Sequence, residues 1–429
     1  MTFTAFRRTL LAASLLAASV SVQAQKAELV RIAFIDPLSG PAAVTGANQL
    51  KTAEFFAGIL NGSRSGSEPR YEIIGLDSKL SPAEAVIQLH SAIAKGVRYI
   101  SHGNGSAVAL ALSEAVSKYN TLNPGKEVLY INQAAIDSAL TNEKCSYWHF
   151  RIDADVSMRM AAITAFVKEQ PAIRKIYLLN QDYSFGRQVS SYAREGIRSA
   201  RPDIEIVGDE FIPLSKTRDF APIVEKIKAS GADTVITGNW GTDMSLLAKA
   251  SVDQGYHGKF LTFYADRAGT PQAFGVAGLG RVYVVAATHS NMGGMGNLLA
   301  IRFKRQYRED LQSFQVIYSL MLLSEGITKA RSSEPLKVAA AMEGLSMEGF
   351  SGPVSLRRQD HQMQQGMFLL VMGKTSEKYP NGLEGTDYTL IQEKRYEPAV
   401  ASTPSTCNME RPVDTGMPAK TVVLAPNKK

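Results

Sequence analysis

Predicted strands and helices alternate along this chain twice over, and few folds accommodate that alternation. Leu29-Val30-Arg31-Ile32-Ala33-Phe34-Ile35-Asp36 is an apolar run bounded by a Pro/Gly turn and reads as a buried strand. Ser81-Pro82-Ala83-Glu84 carries a capping box with proline at the first helical position, and the helix it opens stops at Gly96. Further strand–helix pairs follow up to about residue 150, and the series then restarts with Lys175–Asn180, Ser184–Ala200, Asp233–Gly238 and Thr242–Gln254. Strands separated by helices imply parallel sheets covered on both faces. At 429 residues the chain exceeds what one core usually spans. The expected class is α/β, with two Rossmann-like lobes.

The first residues indicate the compartment. Arg7 and Arg8 precede an apolar run from Thr9 to Val20, and Val22-Gln23-Ala24 has the small-x-small form of a signal-peptidase site. Cleavage after Ala24 and a periplasmic location are expected. An exported α/β protein has no nucleotide pool to draw on, which favours solute capture or sensing and no cofactor. No cysteine follows the signal to take a lipid anchor, and no second apolar run approaches the roughly 20 residues of a membrane span. The formal charge of +7 is scattered, with no basic cluster or aromatic interleaving, so no nucleic-acid partner is expected. Cys145 and Cys407 are the two cysteines. In an oxidising compartment they form either a disulfide, closing a loop of roughly 260 residues worth about 4–5 kcal/mol, or two unpaired thiols. No His/Cys cluster has metal-ligand spacing.

Open α/β sheets bind ligands beyond the carboxyl ends of their strands. Three loops of the first half qualify: Pro37-Leu38-Ser39-Gly40-Pro41, His102-Gly103-Asn104-Gly105-Ser106, and Asn132-Gln133-Ala134-Ala135-Ile136. Ser106 opens a helix, where backbone N–H groups suit a carboxylate, or it serves only as a cap. In the second half, Asp182-Tyr183-Ser184-Phe185-Gly186, Gly238-Asn239-Trp240-Gly241 and Phe263-Tyr264-Ala265-Asp266-Arg267 occupy the corresponding position. Their aromatics line a ligand site or pack in a core. Gly103-Asn104-Gly105-Ser106-Ala107 is not a nucleophile elbow, and no phosphate loop or GxGxxG follows a strand. No enzyme is expected; an exported hydrolase is the remote alternative.

Ile35-Asp36-Pro37-Leu38-Ser39-Gly40-Pro41, the Asp182–Gly186 segment, and Asp219-Phe220-Ala221-Pro222-Ile223 through Gly231-Ala232-Asp233 resemble motifs of one family. It is the periplasmic branched-chain amino acid-binding proteins, substrate-binding components of ABC importers with the type I periplasmic binding fold. The resemblance covers about residues 29–373. It implies a two-lobed flytrap with three hinge crossings, near Arg151, Thr288 and Val354. The lobes are then 25–150 with 288–354 and 151–287 with 355–375, after a signal peptide at 1–24. Residues 376–429, rich in proline and polar groups, read as an extended tail packed on the lobes.

The loop positions and the resemblance together give an expected ligand set: Ser39, Tyr183 and Trp240 from the loops, and Thr45, Ser106, Ala134, Ile136, Phe185, Tyr264 and Asp266 from the resemblance. Ser106 matches the serine that holds the amino acid carboxylate. Ile136 stands where the amino acid binders carry a threonine, and Tyr264 where they carry the glutamate that pairs with the ammonium. Asp266, two residues on, is the candidate replacement. Losing both groups weakens an α-amino acid ligand, since a buried ammonium without a carboxylate costs several kcal/mol. The expected function is a monomeric, non-catalytic solute receptor that closes on a small ligand and engages an inner-membrane ABC permease. The ligand is a branched-chain or other amino acid, or an aromatic or aliphatic carboxylate. The alternative output is ligand sensing for a signalling partner.

Overall fold

The computed structural model describes residues 27–66 and 68–412. The expected signal peptide and its cleavage site lie outside the described residues.

The first sheet has five parallel strands in the order β2-β1-β3-β4-β5. They are β1 (Leu29–Asp36), β2 (Arg70–Asp77), β3 (Tyr99–His102), β4 (Leu129–Asn132) and β5 (His149–Arg151). The helices between them are α1 (Ala43–Ser63), α2 (Pro82–Ala94) and α3 (Ser106–Leu122). Alternate residues of β1 enter opposite cores: Val30, Ile32 and Phe34 one, Ala33 and Ile35 the other. A continuous apolar strand therefore marks a sheet buried on both faces.

The second half continues with α4 (Val156–Lys168), β6 (Lys175–Gln181), α5 (Ser184–Ala200), β7 (Glu205–Ile212), α6 (Ala221–Ala229), β8 (Thr234–Thr237), α7 (Thr242–Asp253), β9 (Lys259–Thr262), α8 (Thr270–Phe274) and β10 (Val282–Ala286). Then come α9 (Gly294–Tyr307), α10 (Phe314–Ala330) and α11 (Pro335–Met342), the short strands β11 (Ser346–Gly349), β12 (Gly352–Leu356) and β13 (Met363–Gln364), then β14 (Met367–Lys374), β15 (Tyr388–Tyr396) and α12 (Pro398–Ala401). The second sheet has seven strands, β15-β14-β10-β9-β8-β6-β7. Its parallel strands are as expected, but β14 and β15 run antiparallel at one edge. A hairpin joins them with no crossover helix, so parallel pairing is unavailable.

The chain passes between the two sets of cores three times. Ile152 belongs to the first and Ala154 to the second; Ala287 belongs to the second and Met292 packs on the first. The third passage corrects the expected one near Val354. Val354, Leu356 and Met363 all sit in the first core, held by the β11-β12-β13 sheet, and the second core begins at Met367. The tail also departs from an extended strap. Residues 388–396 form β15, and α12 packs on α4. Beyond it the chain returns to the first half: Ser405 Oγ donates to Thr141 O, Thr406 N donates to Asn142 Oδ1, and Cys407 is bonded to Cys145 across 262 residues of sequence. No helix among the described residues is long and apolar enough to cross a membrane.

Candidate functional site

Two glycines set how closely each loop cluster approaches its sheet. A Cβ on Gly46 would meet Pro37 O at 2.0 Å, and one on Gly186 would meet Gln181 O at 1.9 Å. Both residues lie in the first turns of the helices that follow β1 and β6. They let α1 and α5 start hard against the preceding strand, so Thr45 and Phe185 reach the gap between the sheets. Gly186 closes the Asp182–Gly186 motif, and its lack of a side chain is the physical content of that motif.

That gap is a cavity of about 760 Å³, counting space open to solvent. Eight of the ten residues expected at the ligand site line it: Thr45, Ser106, Ala134, Ile136, Tyr183, Phe185, Trp240 and Tyr264. Two do not. Ser39 is exposed and donates its hydroxyl to Asp77 Oδ2 at 2.6 Å. Asp266 makes a two-point pair with Arg267, at 2.8 and 2.7 Å, and faces a smaller neighbouring cavity instead. The guanidinium beside it in sequence takes up the carboxylate expected to replace the missing glutamate.

The wall contributed by the first sheet is mostly small and polar, with Gln49, Asn104 and Ile136 as its larger side chains. Ser106 is buried, and among the described residues its Oγ bonds to no protein group. Asn132 Oδ1 accepts the amides of Ala134 and Ala135 and shapes the neighbouring loop. The opposite wall is aromatic. Trp240 Nε1 donates to Tyr183 Oη at 2.8 Å, and the Phe185 ring lies 5.5 Å from that of Tyr183 and 6.4 Å from that of Tyr264. Helices α3, α5, α7 and α10 all begin at this cavity without a side-chain cap, through Ser106, Tyr183, Gly241 and Ser313. Their first N–H groups give the cavity a positive character.

Arg159 and Asp153 were not singled out from sequence, yet both line the cavity. Arg159 Nη2 binds Asp153 Oδ2 at 2.7 Å, and its other nitrogens donate to Ala154 O and Val285 O. Burial pushes the Asp153 carboxyl up, against the pull of Arg159. A lone arginine in the largely apolar Val156–Lys168 helix was the signal available. Arg159 and Arg267 lie 5.4 and 5.8 Å from the Tyr264 ring centroid. Burial nevertheless holds the Tyr264 phenol up at about 12, so it remains a protonated donor at neutral pH. Both carboxylates at this end of the cleft are thus already matched to guanidinium groups. Among the described residues no group of three or more potential ligands could hold a metal.

Known proteins agree with this architecture. The chain is 30% identical to Leu/Ile/Val-binding protein homolog 4 of Brucella abortus, over 90% of this chain and 94% of that protein. Its fold superposes on the closed conformation of a leucine-, isoleucine-, valine-, threonine- and alanine-binding protein from Brucella ovis with a TM-score of 0.81 and 29% identity, covering 90% and 100% of the two chains. A solute-binding protein of an ABC transporter from R. palustris, in complex with 4-hydroxybenzoate, shares the fold at a TM-score of 0.73 and 19% identity, over 86% and 97%. The model of the periplasmic binding protein family matches residues 29–377, and the chain belongs to that family.

Proposed function

We propose that this protein is the periplasmic solute receptor of an ABC importer and that it encloses a small carboxylate lacking an α-ammonium, an aromatic acid above all. The observation that carries this reading is the pairing of Asp153 with Arg159 and of Asp266 with Arg267. No unpaired carboxylate among the described residues lines the main cavity to receive an ammonium. Ser106 and the uncapped start of α3 suit the ligand carboxylate. Phe185, Trp240 and Tyr264 offer flat surface to a ring. The R. palustris proteins bound to 4-hydroxybenzoate and benzoate show that this fold accommodates such acids. Closure of the two halves over the ligand would present one surface to the permease.

A branched-chain amino acid is the second reading, favoured by the names of the Brucella relatives. A thermal-shift screen of protein refolded to strip carried-over ligand separates the two. A ligand at 100 times its Kd adds about 2.7 kcal/mol of stability. Stabilisation by 4-hydroxybenzoate and related acids, with none from leucine, isoleucine or valine, is the expected result. Stabilisation by the amino acids alone would overturn the carboxylate reading.

A further inference from the structure

Asp36 ends β1 with a side chain fully out of solvent, and it does not line the ligand cavity. Its carboxylate accepts four hydrogen bonds: Gly103 N at 3.1 Å, Asn104 N at 2.8 Å, Asn104 Nδ2 at 3.0 Å and Gln133 Nε2 at 3.0 Å. Every donor belongs to one of two loops. The first carries Ser106 two residues on, and the second carries Ala134 and Ile136. Among the described residues no cation faces the carboxylate. His102 Nε2 is 3.9 Å away, but it donates to Asn104 O, while Nδ1 accepts from Tyr130 Oη. That tautomer is neutral, and burial pushes the ring down to about 4. On the neighbouring strand, Asp77 turns away to Leu38, Ser39 and Lys79. From α1 the neutral Gln49 accepts from Asn104 Nδ2.

We infer that Asp36 is a positioning residue for the ligand site: its ionised carboxylate clamps the 102–106 and 132–136 loops at the separation that binding requires. The inference rests on the cleft being the ligand site but not on which ligand fills it. A buried carboxylate without a cation is costly, and only its hydrogen bonds offset that cost. Burial pushes Asp36 up to about 7 in spite of those four bonds. Protonating either oxygen sets an O–H against two N–H donors and releases them. Affinity is therefore set by the ionised fraction and falls as pH drops through neutrality. Burial pushes the histidines His102, His149, His289 and His361 down, against taking up a proton as pH falls.

The test uses the whole exported protein with 4-hydroxybenzoate, whose carboxyl stays ionised throughout. Binding to the wild type weakens about tenfold from pH 8 to pH 6. Asp36→Asn, which cannot accept on both atoms, binds about tenfold more weakly at pH 8 and shows no such slope. Gln133→Met keeps the carboxylate and removes one donor, so it retains the slope with a loss of about threefold; it decides the matter if Asp36→Asn does not fold. Amide exchange of Gly103 and Asn104 in ligand-free protein, corrected for intrinsic rates, gives a readout independent of any ligand. Protection should fall in Asp36→Asn and in the wild type at pH 6, with β1 and β3 unchanged. Wild-type affinity, slope and protection in Asp36→Asn would overturn the inference. Failure of 4-hydroxybenzoate to bind the wild type would count against the carboxylate reading alone, since exchange still decides the role of Asp36.

Discussion

The two walls of the cleft are built from different materials. The first-sheet wall is mostly small and polar, at loops fixed by buried polar bonds, with Thr45, Ser106, Ala134 and the larger Ile136 at the cavity. The second-sheet wall presents Tyr183, Phe185, Trp240 and Tyr264, backed by Arg159 and Arg267. One wall is suited to hold a charged head group by preorganised N–H and O–H donors. The other supplies area and excludes water, with Trp240 bonded to Tyr183 and Arg159 to Asp153, and the Tyr264 hydroxyl left as a donor. The contrast implies that orientation comes from the first wall and discrimination among side groups from the second.

Substitutions can break that contrast. The largest effect is expected from Arg159→Met. It leaves Asp153 buried and unpaired, and should destabilise the protein by about 3–5 kcal/mol in denaturant titrations. Trp240→Ala removes flat surface and the donor to Tyr183 Oη. A loss of about 2 kcal/mol in ligand binding by calorimetry is expected, with ring-bearing ligands hit harder than aliphatic ones. Ser106→Ala deletes one donor on the opposite wall, weakening every carboxylate alike by about 1 kcal/mol. If it affects aromatic and aliphatic acids unequally, the division of labour is wrong.

A change of similar size concerns the join between the walls. Gln188 on α5 accepts from Ser138 N at 2.9 Å and donates to Asp137 Oδ1 at 2.5 Å. Gln188→Ala should speed ligand release by stopped-flow fluorescence, by about 1 kcal/mol, and leave association unchanged. Asp36 adds a stability signature of the opposite sign to its effect on binding. Its carboxyl is raised in the folded protein, so its stabilising contribution is present at low pH and is lost as pH rises through about 7. Melts of the ligand-free wild type should lose about 1 kcal/mol relative to Asp36→Asn between pH 6 and pH 8.

Much of this was legible in the sequence because it depends on local pattern. The strand–helix alternation specifies the parallel strands of both sheets, and loops at the carboxyl ends of strands bring Ser106, Phe185, Trp240 and Tyr264 together. What escaped depends on neighbours remote in sequence or on competition between adjacent groups. Ser39 is drawn to Asp77, and Asp266 is captured by Arg267 before it can reach the cavity. Arg159 sits on a helix whose buried face can be located only once Val285 and Asp153 are placed. β15 was hidden by its own composition. Gln392-Glu393-Lys394-Arg395 is polar because this strand forms the sheet edge, where charge discourages pairing with another chain.

Cys145 precedes the first passage between the cores, and Cys407 follows α12. The bond therefore ties off the entire second half of the molecule as a covalent ring. Ring closure requires that the segment after α12 has returned to a site laid down 262 residues earlier. A protease that nicks any one loop inside the ring leaves a single covalent molecule, which falls into two pieces only on reduction.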